Sequence, residues 1–97
     1  MKRIFALCLA LSVGVLAGCA QEKSLEGLAP ERLYLDGYRA FQETDYEKAA
    51  EYFDEIEKQY PYSVWAERAQ IMAAYSYYKR NEYDDAILTL ERFIQLH

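Results

Sequence analysis

Residues 38–56 read YRAFQETDYEKAAEYFDEI, and residues 75–93 read YSYYKRNEYDDAILTLERF. A shift of 37 positions superposes the two stretches, so that Tyr38 meets Tyr75 and Ala49 meets Ala86. The further matched pairs are Phe41 with Tyr78, Asp45 with Glu82, Tyr46 with Tyr83, Phe53 with Leu90, and Ile56 with Phe93. Aromatic and alanine positions that recur together at a fixed period indicate an internal repeat of helix hairpins, which is the pattern of an α-solenoid.

The rest of the chain from Glu31 onward also favours an all-α fold. No window there alternates between apolar and polar residues as a strand does, and glycine and proline are almost absent from the periodic segments. Four helices are predicted, at about 31–43, 44–59, 63–80 and 83–97. Their boundary signals are Pro30 at the start of the first, a capping box at Thr44–Glu47 for the second, Pro61 after its end, Ser63 as the cap of the third and Asn81 as the cap of the fourth.

The two hairpins resemble the tetratricopeptide (TPR) repeat, and they are predicted to span residues 31–61 and 62–97. The residues at the family's spacing are Gly37, Ala49, Phe53 and Pro61 in the first copy, and Ala74, Tyr77, Ala86 and Leu90 in the second. The small residues are expected to let paired helices approach closely. The large residues expected to fill the space between the helices are Phe53, Ile56, Leu90 and Phe93. The chain departs from the type at Ala40, where tyrosine is usual, and in its period, which exceeds the usual length of about 34 residues.

Two repeats are few for a solenoid, which generally needs three or more and a polar capping helix. The predicted last helix reaches His97 with several apolar residues that nothing caps, namely Ile87, Leu90, Phe93, Ile94 and Leu96. We therefore expect the chain to continue beyond His97, or a partner to complete the fold.

The first residues have the layout of an export signal. Lys2 and Arg3 precede an apolar run that is shorter than the about 20 residues of a transmembrane helix. The run closes in Leu16-Ala17-Gly18-Cys19, which resembles a bacterial lipobox. An uncleaved membrane anchor and ordinary secretory cleavage are the alternatives.

The lipobox reading predicts a signal peptide at 1–18, a covalent lipid on Cys19 and a flexible tether over 19–30. In many bacterial lipoproteins an aspartate after the lipidated cysteine retains the protein in the inner membrane. Ala20 stands there in this chain, so the resemblance points to the outer membrane.

Charge and residue inventory exclude several functions. Loss of Lys2 and Arg3 with the leader leaves 9 basic residues against 16 acidic ones, a net charge of −7, which disfavours binding to nucleic acid and to anionic lipid headgroups. With Cys8 in the leader and Cys19 acylated, no thiol remains for a disulfide, a metal or a nucleophile. His97 is the one histidine, so we expect no catalytic triad, no metal site and no cofactor beyond the lipid.

Three phrases carry a more specific resemblance: YPY at 60–62, AYSYYK at 74–79 and RFIQLH at 92–97. Together with the lipobox, they make the whole chain similar to the BamD (ComL) family, the lipoprotein of the outer-membrane β-barrel assembly machine. The resemblance implies a non-enzymatic subunit at the periplasmic face of the outer membrane that scaffolds and receives unfolded outer-membrane proteins for insertion. The implied partners are those precursors, the β-barrel assembly protein and other lipoprotein subunits.

Two alternatives to that function stay open. One is another periplasmic TPR lipoprotein that pilots pilus or secretin assembly. The other is the solenoid part of a cell-wall enzyme, whose catalytic domain would follow His97.

Analogy with TPR geometry places the first helix of each repeat along a concave groove. The residues assigned in this way to peptide or partner binding are Tyr34, Tyr38, Phe41 and Gln42 in the first copy, and Arg68, Ile71, Tyr75, Tyr78 and Lys79 in the second. Tyrosine suits such a surface because it offers apolar area and a hydroxyl at little cost in entropy. Arg39, Arg68 and Lys79 are expected to lie near the groove, where a peptide's C-terminal carboxylate would need them.

The other aromatic and acidic residues are expected to be structural. Tyr46, Tyr52, Tyr77 and Tyr83 are predicted to pack between helices, and for Tyr38 and Tyr75 packing is as good an interpretation as the groove. Trp65 is also interpreted as structural. The adjacent carboxylates at 54–55 and 84–85 are predicted to lie on solvated helix faces, since neighbours along a helix point in different directions.

Overall fold

Four α-helices form two antiparallel hairpins in a computed structural model that describes residues 25–97. The helices are α1 (Pro30–Gln42), α2 (Tyr46–Gln59), α3 (Val64–Lys79) and α4 (Tyr83–Leu96). Each helix packs on the one before it, and α3 also contacts α1, so the second hairpin stacks on the first as solenoid repeats do. No strand occurs within residues 25–97, and the predicted all-α, TPR-like fold is confirmed.

The predicted signal peptide, Cys19 and the tether up to residue 24 lie outside the described residues. None of the helices α1 to α4 combines the length and apolar character that crossing a bilayer requires.

The core lies where α1, α2 and α3 meet. Its largest side chains are Leu33, Phe53 and Ile56, which are fully buried and pack against three alanines of α3. Those alanines are Ala66, Ala69 and Ala73. Gly37 faces this core so closely that a β-carbon built on it would lie 2.9 Å from the Cε1 atom of Phe53. The prediction that Gly37 allows close approach of paired helices is therefore confirmed.

Helix α3 is buried on two sides because α2 and α4 both flank it. Its buried residues are Ala66, Ala69, Gln70, Ala73, Ala74 and Ser76, and their small average size permits close packing on both sides. The buried hydroxyls of Ser76 and Thr89 donate to carbonyls one turn earlier in their own helices, so neither is left unsatisfied.

The second hairpin is less well covered than the first. Ala74 and Ala86 are buried as predicted, but Leu90 is 41% exposed and Phe93 is only partly buried. In the part of the chain that the structure describes, the prediction that these residues fill the space between the helices is wrong for Leu90 and confirmed only in part for Phe93. Phe53, which is equivalent to Leu90, is covered by the helix that follows it, whereas no described helix follows α4.

Both hairpin turns have the same backbone geometry, 37 residues apart. Thr44 and Asn81 adopt positive φ angles of 63° and 61°. In the first turn, the N–H of Thr44 donates to the Phe41 carbonyl and the N–H of Asp45 to the Ala40 carbonyl. In the second turn, the N–H of Asn81 donates to the Tyr78 carbonyl and the N–H of Glu82 to the Tyr77 carbonyl. This arrangement is the Schellman ending, in which one left-handed residue closes the helix.

The Schellman turn explains why the predicted capping box at Thr44–Glu47 is wrong. Thr44 terminates α1, so α2 begins one residue later with Asp45 as its cap. The carboxylate of Asp45 accepts the N–H of Lys48 at 3.2 Å. Ser63 caps α3 as predicted, since its hydroxyl accepts the N–H of Ala66 at 3.1 Å.

The predicted cap at Asn81 is wrong for the same reason. Glu82 occupies the cap position of α4 and makes no side-chain capping bond. The side-chain oxygen of Asn81 instead accepts the hydroxyl of Tyr83 at 2.9 Å.

Candidate partner-binding surface

The rings on one face of α1 and α3 form an aromatic strip, consisting of Tyr34, Tyr38, Phe41, Trp65, Tyr75 and Tyr78. At one end, Tyr34 stacks with Tyr38, with 6.5 Å between ring centroids, and tilts against Trp65 at 5.4 Å. The guanidinium carbon of Arg68 lies 5.5 Å from the centre of the Trp65 ring, which is a cation–π distance.

The other end of the aromatic strip crosses from α1 to α3. Phe41 contacts Tyr75 with ring centroids 5.0 Å apart, and Tyr75 stacks with Tyr78 at 6.4 Å. The ammonium nitrogen of Lys79 lies 5.4 Å from the centre of the Tyr75 ring. Each end of the strip therefore carries one cation over an aromatic face.

None of the nine residues predicted to bind a partner is buried. Tyr38 and Tyr75 are 43% and 45% exposed, and Tyr34 and Phe41 are partly buried. The remaining exposed members are Gln42, Arg68, Ile71, Tyr78 and Lys79. The fold brings most of them into the aromatic strip, and their role in binding stays a prediction.

Two residues lie where the sequence did not place them. Arg39 is directed away from the aromatic strip, because its guanidinium lies 4.0 Å from Asp36 beside Tyr52 of α2. Tyr83 was expected to pack between helices, but it is half exposed and its ring lies 5.6 Å from that of Tyr78.

Helices α3 and α4 enclose an apolar groove of ≈ 540 Å³. Its lining residues are Ile71, Ala74, Tyr75, Tyr78, Tyr83, Ala86, Ile87 and Leu90. Sequence reasoning had assigned three of them, Ile71, Tyr75 and Tyr78, to partner binding. The signal for the α4 side was present as the uncapped apolar residues Ile87 and Leu90.

The repeat shows what shape this apolar groove accepts. Three residues of the groove have equivalents 37 positions earlier in the first repeat. The equivalents of Ala74, Ala86 and Leu90 are Gly37, Ala49 and Phe53. All three equivalents are buried where α3 packs on the first repeat. The apolar groove is thus the counterpart of a surface that receives a helix.

The same comparison of the two repeats shows that Tyr75 differs from the other residues of the apolar groove. Its counterpart Tyr38 keeps 43% of its surface exposed although α3 covers the residues around it. Tyr38 and Tyr75 therefore occupy positions that stay open when hairpins stack, whereas Leu90 occupies one that becomes covered.

A polar cluster joins α2, α3 and α4 on another face. The hydroxyl of Tyr77 donates to the carboxylate of Asp54. Glu57 accepts both the amide of Gln70 at 2.9 Å and two guanidinium nitrogens of Arg92 at 3.1 Å. The cluster lines a polar cleft of ≈ 400 Å³.

The pKa values of the two carboxyl groups in the polar cluster shift in opposite directions. Burial raises the pKa of Asp54, and the hydrogen bond from Tyr77 only partly offsets this. Burial also opposes ionisation of Glu57, but hydrogen bonds from Arg92 and Gln70 outweigh it and lower the pKa of that carboxyl. The prediction that Asp54 lies on a solvated face is therefore wrong. Nothing in the sequence marked Asp54, because its partner Tyr77 is 23 residues away.

The described residues present open aromatic and apolar surfaces. Residues 25–97 contain no group of three or more side chains suited to hold a metal ion. The stacked helix hairpins define the class, which is a helical-repeat protein of the TPR type.

Comparison with known proteins identifies the family. The model of the YfiO family, described as outer membrane lipoprotein, matches residues 27–97. The chain belongs to this family. No solved structure matches it.

Three similar proteins share the name outer membrane protein assembly factor BamD. The protein of Caulobacter vibrioides is 38% identical over 97% of this chain and 32% of its own length. The protein of Rickettsia prowazekii is 37% identical over 100% of this chain and 40% of its own length. The protein of Neisseria gonorrhoeae is 32% identical over 100% of this chain and 38% of its own length. The chain thus spans about a third of the length of the curated relatives it matches.

Proposed function

We propose that this protein is a non-enzymatic subunit of the outer-membrane β-barrel assembly machinery, and that its helix hairpins scaffold and receive unfolded outer-membrane proteins for insertion. Membership of the YfiO family and the name shared by its relatives support this role. The proposed partners are unfolded precursors, the β-barrel assembly protein and other lipoprotein subunits. A lipid on Cys19 would hold the protein to the periplasmic face of the outer membrane.

The observation that carries the receptor role is the pair Tyr38 and Tyr75. They occupy equivalent positions on α1 and α3, and both remain nearly half exposed. Rigid aromatic rings with a polar tip bind apolar segments at little entropic cost. Lys79, which lies over the Tyr75 ring, provides a positive charge where a peptide carboxylate could bind.

In-cell photo-crosslinking tests this function. A photoreactive amino acid is placed at Tyr38 or Tyr75 of the complete protein, and adducts are identified by mass spectrometry. A matched control carries the same amino acid at Glu51, which is exposed on α2. We expect β-barrel precursors or the barrel assembly protein in adducts from positions 38 and 75, and not from position 51.

Other outcomes contradict the proposal in distinct ways. Adducts with pilus or secretin components indicate an assembly pilot, and adducts with cell-wall proteins indicate the solenoid of a cell-wall enzyme. Equal adducts from all three positions show that the aromatic strip does not select the partner.

A further inference from the structure

The first described residues are attached to one end of the helix stack. The side-chain amide of Gln59 accepts the N–H of Gly27 at 3.2 Å and donates to the carbonyl of Leu25 at 3.1 Å. The hydroxyl of Tyr60 donates to the carbonyl of Leu28 at 2.6 Å. Leu25 and Leu28 also pack against the core. The segment 25–28 is thereby fixed at the end of α2, next to the turn that leads into α3.

This attachment limits how far that end can be from the membrane. Leu25 lies six positions after Cys19, and six extended residue-to-residue steps reach about 20 Å at most. If Cys19 carries a lipid, as the proposed function states, the α2–α3 turn must stay close to the bilayer surface. The opposite end of the hairpins lies one helix length from this turn, since the 16 residues of α3 measure about 24 Å.

The α2–α3 turn has the chemistry of a membrane interface. Tyr62 in this turn is 100% exposed, and Val64, the first residue of α3, is 56% exposed. Residues 60–66 carry no charge, so contact with lipid would remove no ionised group of this stretch from water. Tyrosine is enriched where an apolar medium meets water, because its ring is apolar and its hydroxyl is polar.

We infer that the α2–α3 turn, through Tyr62 and Val64, rests in the interfacial region of the lipid bilayer to which the protein is anchored. This surface would act with the lipid at Cys19 and orient the helix stack with its tether end toward the membrane. The contact is apolar and not electrostatic, because residues 60–66 carry no charge and the chain without its leader has a net charge of −7. Added salt should therefore leave it intact.

Site-specific fluorescence tests the contact in the lipidated full-length protein. Tyr62→Cys introduces a free thiol, which is labelled with an environment-sensitive nitrobenzoxadiazole (NBD) probe, and the protein is reconstituted into vesicles of phosphatidylethanolamine and phosphatidylglycerol. The matched control is Asn81→Cys, an exposed position in the turn at the opposite end of α3. We expect a blue shift and strong quenching by doxyl-labelled lipid at position 62, both insensitive to salt. Position 81 should show neither.

A second variant separates contact from mere proximity. Val64→Cys carries the probe, and Tyr62→Asp is added, which places a charge in the turn without touching the core. We expect the added aspartate to abolish lipid quenching at position 64 while the protein still co-floats with vesicles.

Each contrary result overturns the inference in a recognisable way. Co-flotation without lipid quenching at 62 shows that the anchor exists and the turn does not touch the bilayer. Loss of co-flotation in unmodified protein shows that the anchor itself is absent, so the inference fails with it. Neither result bears on whether the aromatic strip binds precursors, which the crosslinking experiment decides separately.

Discussion

Gly37→Ala tests how closely α1 and α2 pack. The new β-carbon would lie 2.9 Å from Cε1 of Phe53 and 3.0 Å from Cβ of Tyr52. Neither atom can move away easily. Phe53 is fully buried with its ring centroid 5.6 Å from that of Tyr34, and the Cβ of Tyr52 is attached directly to the backbone of α2.

Two opposing effects set the magnitude of this change. Alanine in place of glycine inside a helix stabilises by about 0.5–1 kcal/mol. Inserting a methyl group into a closely packed core destabilises by about 1–3 kcal/mol. Because two contacts are at or below 3.0 Å and both neighbours are held, the steric effect should dominate. We expect Gly37→Ala to lower the free energy of unfolding by about 1–2 kcal/mol.

The second repeat supplies the compensating substitution. It pairs Ala74 with Leu90 where the first repeat pairs Gly37 with Phe53. Phe53→Leu alone should cost about 1 kcal/mol or more, because it leaves a cavity in the core. The double variant recreates the pair of the second repeat. Its cost should be smaller than the sum of the two single costs by about 1 kcal/mol.

Urea unfolding followed by circular dichroism measures the four proteins of this cycle. The protein is produced without residues 1–18 and with Cys19→Ser, so that no lipid interferes. A Gly37→Ala variant as stable as the parent, or strictly additive single and double variants, would refute the close-approach argument.

Three further predictions concern the turns and the polar cluster, and the same urea titrations check them. Thr44→Gly should stabilise the protein by about 0.5–1 kcal/mol, because glycine adopts the positive φ angle without strain. Asn81→Gly should stabilise it less, because asparagine already tolerates the left-handed region. Equal stabilisation by the two substitutions would contradict this prediction. Tyr77→Phe should cost about 1–3 kcal/mol by leaving the partly buried carboxylate of Asp54 without its donor. Folding raises the pKa of Asp54, so the folded state holds more protons at that group and the group's contribution to stability falls as the pH rises through the raised pKa. Asp54→Asn should therefore gain stability relative to the parent with rising pH, and a shrinking difference would refute the assignment.

Local sequence signals located the helices well and their caps less well. Pro30, Pro61 and Ser63 were interpreted correctly, because each acts through its own backbone or the next turn. Thr44 and Asn81 were interpreted wrongly, although both are of residue types that commonly cap helices. The second residue after α1 and after α3 adopts the left-handed conformation. That residue closes the preceding helix and does not begin the next one.

Some features of the candidate site were likewise predictable from the sequence, and others were not. The repeat predicted which rings lie on one face of α1 and α3, and the structure joins them into the aromatic strip. No local pattern predicted that Asp54 pairs with Tyr77 or that Arg92 donates to Glu57. None predicted that Arg39 points away from the strip either. Each of these depends on which helices become neighbours.

By itself, the sequence determined that this protein is a stack of helix hairpins with a 37-residue period, because apolar periodicity and repeated small residues are properties of the chain alone. The tertiary structure decided which equivalent residues are buried and which remain open. Phe53 and Leu90 hold the same position in their repeats, yet one is fully buried and the other is 41% exposed. The physical reason is that burial of a solenoid residue depends on the next helix in the stack, and that neighbour is not encoded in the residue's own repeat.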